Sequence, residues 1–163
     1  MTKINNPLRK QHISPGDIFT RSATQDDLEV LRGLEAEARP ALEDFRGGDR
    51  LAIEVPAVGG NWSRTLQDDS IFVLVSGVNS IVMGYLCARK SKKIATIEQV
   101  FVTRDARNLG IGDALISATL KWAKDNKLDS LDALALPGDR ETKNLYERSG
   151  LVARLITVTK KLD

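Results

Sequence analysis

The sequence predicts an α+β domain in which a mixed sheet carries helices on its faces, and three observations predict it. Two apolar runs, Ile71 to Val75 and Ile81 to Ala88, flank the turn signal Gly77-Val78-Asn79-Ser80 and read as a hairpin. From Ile94 a β-branched and aromatic run ends at Val102, and beyond Gly110-Ile111-Gly112 the period becomes helical, with Ile111, Leu115, Ala118 and Trp122 on one face. Strand and helix signals then alternate to the C-terminus. The strand, glycine turn and helix of Ile97 to Asn126 are the stretch around which the rest is organised.

In order, Met1 to Gly16 is polar, holds Pro7 and Pro15, and is expected to be a flexible arm outside a single domain spanning 17–163. Asp17 to Ala23 predicts a first strand. Thr24, followed by Asp26 and Asp27, is a helix N-terminus signal, with Leu28, Leu31, Leu34 and Ala38 as the apolar face and Pro40 ending or kinking the helix. Arg46 to Asn61 is punctuated by Gly47-Gly48 and Gly59-Gly60 and is expected to be a mobile loop on the substrate side, and Trp62 to Asp68 a short helix. Gly84 interrupts the second hairpin strand and predicts a bulge or a close backbone approach. Arg89 to Lys93 makes a basic turn into the central strand. After the central helix, Leu131 to Leu136 predicts a strand ended by Pro137-Gly138. Asp139 caps a helix from Arg140 to Arg148, Gly150 sits where a left-handed residue ends it, and Leu151 to Lys160 predicts a closing strand.

At 163 residues, with Lys+Arg 24 against Asp+Glu 22, the chain fits one domain, and its charge argues for neither a nucleic-acid nor a membrane partner. Cys87 is the one cysteine, forms no intrachain disulfide and lies in an apolar run, in keeping with a reducing cytoplasm. The one histidine, His12, lies in the polar arm, which leaves no base for a Ser-His-Asp or Cys-His system and too few ligands for a zinc site, so no metal is expected. No apolar run approaches the roughly 20 residues that span a bilayer, and a cytoplasmic location is expected.

The helix that starts near Gly110 has a chemical consequence. The first N–H groups of a helix lack intrahelical partners, and the dipole adds positive charge there. Gly110 and Gly112 remove Cβ atoms that would hold a ligand off the backbone, and Arg107 offers a fork for phosphate oxygens, so a pyrophosphate-bearing ligand fits. The competing reading is a plain strand-to-helix turn whose glycines only relieve strain. A dinucleotide fingerprint would need glycine where Leu115 stands, and a P-loop would need Gly-Lys-Ser/Thr.

What remains is Arg-x-x-Gly-x-Gly at Arg107 to Gly112, after a strand ending Val100-Phe101-Val102, with Tyr146-Glu147-Arg148-Ser149-Gly150 downstream. This pair of motifs resembles the acetyl-coenzyme A site and the second motif of the GNAT N-acetyltransferase superfamily, and the likeness covers roughly Asp17 to the C-terminus. The resemblance implies a mostly antiparallel central sheet flanked by helices. The strands ending near Val102 and beginning near Leu131 would splay to form the acetyl-coenzyme A cleft. It implies cofactor contacts at Val100, Phe101, Val102, Arg107, Asn108, Leu109, Gly110, Ile111, Gly112, Asp113, Asp139 and Tyr146, and no metal. The acceptor-binding elements are implied around Trp62 to Asp68.

Acetyl transfer to an amine needs a base, an oxyanion support and a proton for the leaving sulfur. Glu98 could accept the amine proton directly or through water; equally, it could be a carboxylate paired across the sheet with a basic residue, and a bulge would change whether Glu98 or Gln99 faces the cleft. Tyr146 matches the family's tyrosine near the coenzyme sulfur and could protonate it; otherwise it packs between helix and sheet. Relatives often carry asparagine where Asp139 stands, and a carboxylate there accepts hydrogen bonds but does not donate them. Many relatives also end with two strands where this chain has room for little more than one, which bears on the shape of the acceptor pocket. Two functions follow: an N-acetyltransferase moving acetyl to a primary amine by direct attack in a ternary complex, or a catalytically weak acyl-coenzyme A binding or sensing module. The acceptor would be a small molecule, a peptide terminus or a protein lysine, and a homodimer is one assembly open to the chain.

Overall fold

Residues 17–163 are described by a computed structural model; the predicted arm, with His12, lies outside them. Five strands pair in sequence order: β1 (Ile18–Ser22), β2 (Ile71–Val78), β3 (Ile81–Ser91), β4 (Ile94–Val102) and β5 (Ser130–Ala133). The first three pairings are antiparallel and β4–β5 is parallel. The sheet is therefore the mixed, mostly antiparallel one expected. Helices α1 (Leu28–Ala38), α2 (Gly48–Glu54) and α3 (Trp62–Thr65) precede the hairpin, and α4 (Ile111–Asp125) and α5 (Arg140–Arg148) follow β4 and β5.

Both sheet faces are buried because β2 and β3 are apolar at nearly every position. On one face Leu74, Leu86 and Ile97 pack with Ile111, Leu115, Ile116, Leu145 and Tyr146 of α4 and α5. On the other, Val73, Val75, Tyr85 and Cys87 pack with Leu31, Leu34 and Trp62 of α1 and α3. The Trp62 ring meets Tyr85 edge-on at 5.8 Å, a favoured aromatic geometry. Burial pushes the Cys87 thiol up to about 12, so it is an inert core residue.

Thr24 forms a capping box with Asp27, and the Asp27 carboxylate also receives both terminal nitrogens of Arg21 at 2.7 and 2.9 Å. That hydrogen-bonded pairing holds the Asp27 carboxyl below the usual carboxylate range. Pro40 ends α1 as expected, though the backbone continues as a 3₁₀ turn over Arg39–Asp44. The turn of the hairpin is the two-residue pair Asn79 and Ser80, both left-handed at φ 51° and 66°, which matches the twist of the flanking strands.

Three expectations are corrected. The segment from Arg46 to Asn61 is not a loop: it carries α2 and a 3₁₀ turn, tied down by the buried Glu35 carboxylate, which accepts from the amides of Val58 and Gly59 at 2.9 and 2.7 Å. The strand expected at Leu131–Leu136 runs from Ser130 to Ala133, and Leu134 is exposed. No strand forms from Leu151 to Lys160; beyond Leu151 the chain has no regular structure, and Leu155 and Val158 are 90% and 89% exposed. The pattern of that segment suits a strand, but a strand needs an edge to pair with, and its own chain does not bring β5 and the tail together.

The feature that shapes the site is a bulge in β4. Cys87 pairs with Gln99 and Ala88 with Ile97, so Glu98 is an extra residue opposite β3. A bulge bends its strand and shifts the inside-outside alternation by one. Accordingly Ile97, Val100 and Val102 all pack toward α4, while Phe101 packs on the opposite face. The β4–β5 ladder stops at Ile97 and Ala133, one residue before the bulge. From Glu98 to Val102, β4 has no neighbour on its β5 side, and the two strands part as expected.

Gly84 is where the backbone closes on this region: an added Cβ would lie 2.8 Å from the Phe101 carbonyl oxygen. Gly84→Ala should therefore cost about 1–3 kcal/mol, as overpacking does. Gly33, in α1 with nothing within 4 Å of an added Cβ, should instead gain roughly 0.5–1 kcal/mol as alanine. Urea denaturation of the two variants checks the contrast, and equal effects would refute it.

Candidate active site

α4 begins on a left-handed Gly110, φ 94°, after a left-handed Asn108, φ 66°, and no side chain caps it. Its first intrahelical bond is from the Ala114 amide to the Gly110 carbonyl, so the amides of Ile111, Gly112 and Asp113 precede the helical ladder. Beside them lies a cavity of about 270 Å³. It is lined by Val100, Phe101, Val102, Arg107, Asn108, Gly110, Ile111, Gly112 and Asp113 from the predicted set. A second cavity, of about 470 Å³, continues from it along the gap between β4 and β5. Val100, Phe101, Arg107, Glu141 and Thr142 border both. Leu109 borders neither; its side chain packs against the α4-side core.

The second cavity brings together Glu98, Gln99, Asp139 and Tyr146. Both bulge residues thus reach the cleft. The Glu98 Oε1 accepts from Arg89 Nε at 2.9 Å across the β3–β4 pair, so the cross-strand ion pair and the cleft position hold together. Gln99 accepts the Tyr85 hydroxyl at 2.6 Å. Tyr146 is 7% exposed and its hydroxyl has no hydrogen-bond partner among the described residues. Burial, with a smaller contribution from nearby Asp139, pushes its phenol well above the ordinary value. At neutral pH it is a proton donor. Asp139 caps α5, accepting the Thr142 amide at 3.1 Å, so one of its oxygens is committed to structure.

Gly112 has a second reason to be glycine. An added Cβ would meet Leu145 Cδ2 at 3.2 Å, so its small size lets α5 pack against the start of α4 as well as opening the backbone. Arg107 is also more engaged than its motif position suggests. Its Nε donates to the Val102 carbonyl at 3.2 Å and its Nη1 to Glu141 at 2.6 Å, and the guanidinium lies 5.8 Å from the Phe101 ring centroid. Arg148 similarly donates to Asp113 at 3.2 and 3.3 Å. Sequence reading missed the far wall of the larger cavity, which Arg39, Leu42, Phe45, Leu134 and Leu136 build. The one available signal was Pro40 followed by Leu42 and Phe45 at the three-residue spacing of a 3₁₀ turn.

A sheet parted beside an uncapped helix start suits an acyl-coenzyme A-dependent transferase. The chain belongs to the GNAT acetyltransferase family, whose sequence profile, "Acetyltransferase (GNAT) family", matches residues 36–151. It is accordingly an N-acetyltransferase with acetyl-coenzyme A as co-substrate. No curated protein sequence matches the chain. Solved structures share the fold. A mutant Bacillus halodurans protein aligns at TM-score 0.73 and 19% identity, covering 88% of this chain and 99% of its own. The ribosomal-protein-alanine N-acetyltransferase of Brucella melitensis biovar Abortus aligns at TM-score 0.67 and 19% identity, covering 90% and 99%. The aminoglycoside acetyltransferase AAC(6')-Iy, bound to a bisubstrate analogue containing coenzyme A, aligns at TM-score 0.64 and 18% identity, covering 89% and 99%. Among the described residues no group of three or more His, Cys, Asp or Glu could hold a metal ion, and no helix is long and apolar enough to cross a membrane.

The Arg107–Glu141 ion pair competes with any anion that would use Arg107. Glu141→Gln should tighten coenzyme A binding by up to about 5-fold, the scale of an exposed ion pair of at most about 1 kcal/mol. Isothermal titration calorimetry measures it; weakened binding would mean that Glu141 presents Arg107 rather than occupying it.

Proposed function

We propose that the protein transfers acetyl to a primary amine by direct attack in a ternary complex, with Glu98 as base and Tyr146 as acid. The observation that carries this reading is that both side chains border one cavity, in the gap that opens where β4 leaves β5. Bound acetyl-coenzyme A supplies the activated acetyl group and a sulfur leaving group. The amides of Ile111, Gly112 and Asp113, with Arg107, receive its pyrophosphate: they are uncapped, they border the smaller cavity, and glycine keeps the approach open. Asn108 and Leu109 shape that turn. The gap side of β4 at Val100, Phe101 and Val102 has no ladder partner and offers backbone groups to the pantetheine arm and the thioester carbonyl. Asp139 borders the same channel with the oxygen its cap leaves over.

Glu98 Oε2 has no partner among the described residues, so it can take a proton from the amine or from an intervening water while Arg89 fixes the carboxylate through Oε1. Tyr146, kept protonated by burial, gives its proton to the departing sulfur. The acceptor end carries four carboxylates, Asp44, Glu98, Asp139 and Glu141, and four guanidinium groups, Arg39, Arg104, Arg107 and Arg140. That balance favours no strongly charged acceptor. It leaves selection among small-molecule, peptide and lysine amines to shape and to the apolar wall of Leu42, Phe45 and Leu136. The ion pair of Glu98 with Arg89 favours the second reading, a binding or sensing module without turnover, and the same variants separate the two.

Tyr146→Phe keeps the ring and removes the donor. Turnover with a productive amine, found by screening amines for coenzyme A thiol release, should fall about 10²–10⁴-fold with affinity for coenzyme A nearly unchanged. Because the folded phenol titrates above its ordinary value, the native alkaline limb should lie above about pH 10 and vanish in the variant. A loss of only a few-fold would remove Tyr146 as the acid. Glu98→Gln, which keeps an acceptor for Arg89, should likewise lower turnover about 10²–10⁴-fold; a loss of only a few-fold would assign the base to another group.

A further inference from the structure

A polar group at the acceptor end of the larger cavity has its orientation set from behind. Gln99 follows Glu98 in β4 and lies half-buried on the same cavity wall. Its amide oxygen accepts the Tyr85 hydroxyl at 2.6 Å. That direction is forced, because Tyr85 is 1% exposed, and burial, with Glu35 adding to it, keeps the phenol protonated. The hydroxyl has no other acceptor among the described residues, and a buried donor left without one is costly. With the oxygen committed, what remains of the amide is its –NH2 group, which only donates. That nitrogen has no partner among the described residues, so Gln99 offers the cavity a donor.

The bulge sets this donor beside the proposed base. Successive Cα atoms lie about 3.8 Å apart, and Glu98 and Gln99 both border the cavity instead of facing opposite ways. An acceptor whose amine lies at the Glu98 carboxylate therefore brings the atoms on its adjoining carbon to the Gln99 amide. We propose, on the reading that Glu98 receives the amine proton, that Gln99 selects an acceptor whose amine-bearing carbon also carries an uncharged carbonyl: the α-amine of a peptide N-terminus or of an amino-acid amide. Lysine and polyamine ends carry only methylene groups there and would leave a desolvated donor unpaired. A carboxylate is the poorer match, because Gln99 has no charge and the carboxylates and guanidinium groups of the cavity balance. Leu42, Phe45 and Leu136 are left to read the side chain on the same carbon.

The test uses pairs of amines that differ only in that carboxamide: amino-acid amides, such as leucinamide, against the alkylamines with the same side chain, here isopentylamine. The paired amines differ in basicity, so what is read is how each variant changes the ratio of their kcat/KM at one pH. Gln99→Leu should lower the amide-to-alkylamine ratio about 10–100-fold, the range for a buried donor that loses or gains its partner. That variant leaves the Tyr85 hydroxyl unpaired, so the double variant Tyr85→Phe, Gln99→Leu, which removes both polar groups, is measured beside it and should show the same fall. Tyr85→Phe alone should lower the ratio by less, since Gln99 still donates but is no longer held. A tripeptide with N-terminal leucine that outruns leucinamide supports the proposal with a peptide as the source, and the reverse order supports it with a small amide. An unchanged ratio in Gln99→Leu overturns it, as does a panel in which no amide is acetylated. Leucine turned over faster than leucinamide overturns it in favour of a carboxylate. An equal loss with both amines, accompanied by weaker coenzyme A binding in calorimetry, overturns it by putting Gln99 on the pantetheine arm. Glu98→Gln should lower both rates alike and leave the ratio; if turnover survived that change while Gln99→Leu still moved the ratio, the base assignment alone would fall.

Discussion

The bulge at Glu98 is the constraint from which the site follows. One residue too many in β4 leaves Gln99 paired with Cys87 and Ile97 with Ala88, and the strand must bend to absorb it. Two consequences meet at one place. The alternation shifts, so that Glu98 and Gln99 both border the cleft rather than one facing core and one facing solvent. The parallel ladder to β5 also ends there. The two strands that a flat sheet would keep about 4.8 Å apart separate into a channel with backbone groups outside the ladder along one wall. Gly84 on β3 lets the Phe101 carbonyl come close on the opposite side, so the bent strand remains tightly backed.

The start of α4 has packing and ligand requirements at once. Gly110 takes a backbone conformation that a side chain would strain, and Gly112 gives way to Leu145. The glycines that a motif assigns to phosphate are here partly the means by which α5 docks, and α5 carries Tyr146. A change at Gly112 would thus act on the acid as well as on the phosphate turn, because both depend on how α5 lies across α4.

In the chain by itself, the arginines near the phosphate turn are held by carboxylates, Arg107 by Glu141 and Arg148 by Asp113. Such exposed pairs contribute little to stability, about 0–1 kcal/mol each. They keep the guanidinium groups at the rim of the cavity, and a more strongly charged anion can displace the carboxylates at small cost.

The sequence by itself determined the strand, glycine turn and helix, the hairpin, the cap at Asp139, the left-handed Gly150 and the family, because each depends on residues close in the chain whose backbone preferences are strong. It also singled out Glu98 and Tyr146 as candidates. Tertiary structure alone decided that these two border one cavity, since they lie on a strand and a helix that only the folded sheet brings together. It alone assigned the extra residue of the bulge, which is a matter of pairing with β3 and leaves no mark on local propensity. It also decided against the closing strand: Leu151 to Lys160 is rich in the apolar and β-branched residues of one, but composition does not specify the edge that receives it. The wall built by Arg39, Leu42 and Phe45 was illegible for the same reason, because its role depends on where Glu35 and Arg39 anchor the segment that follows α1.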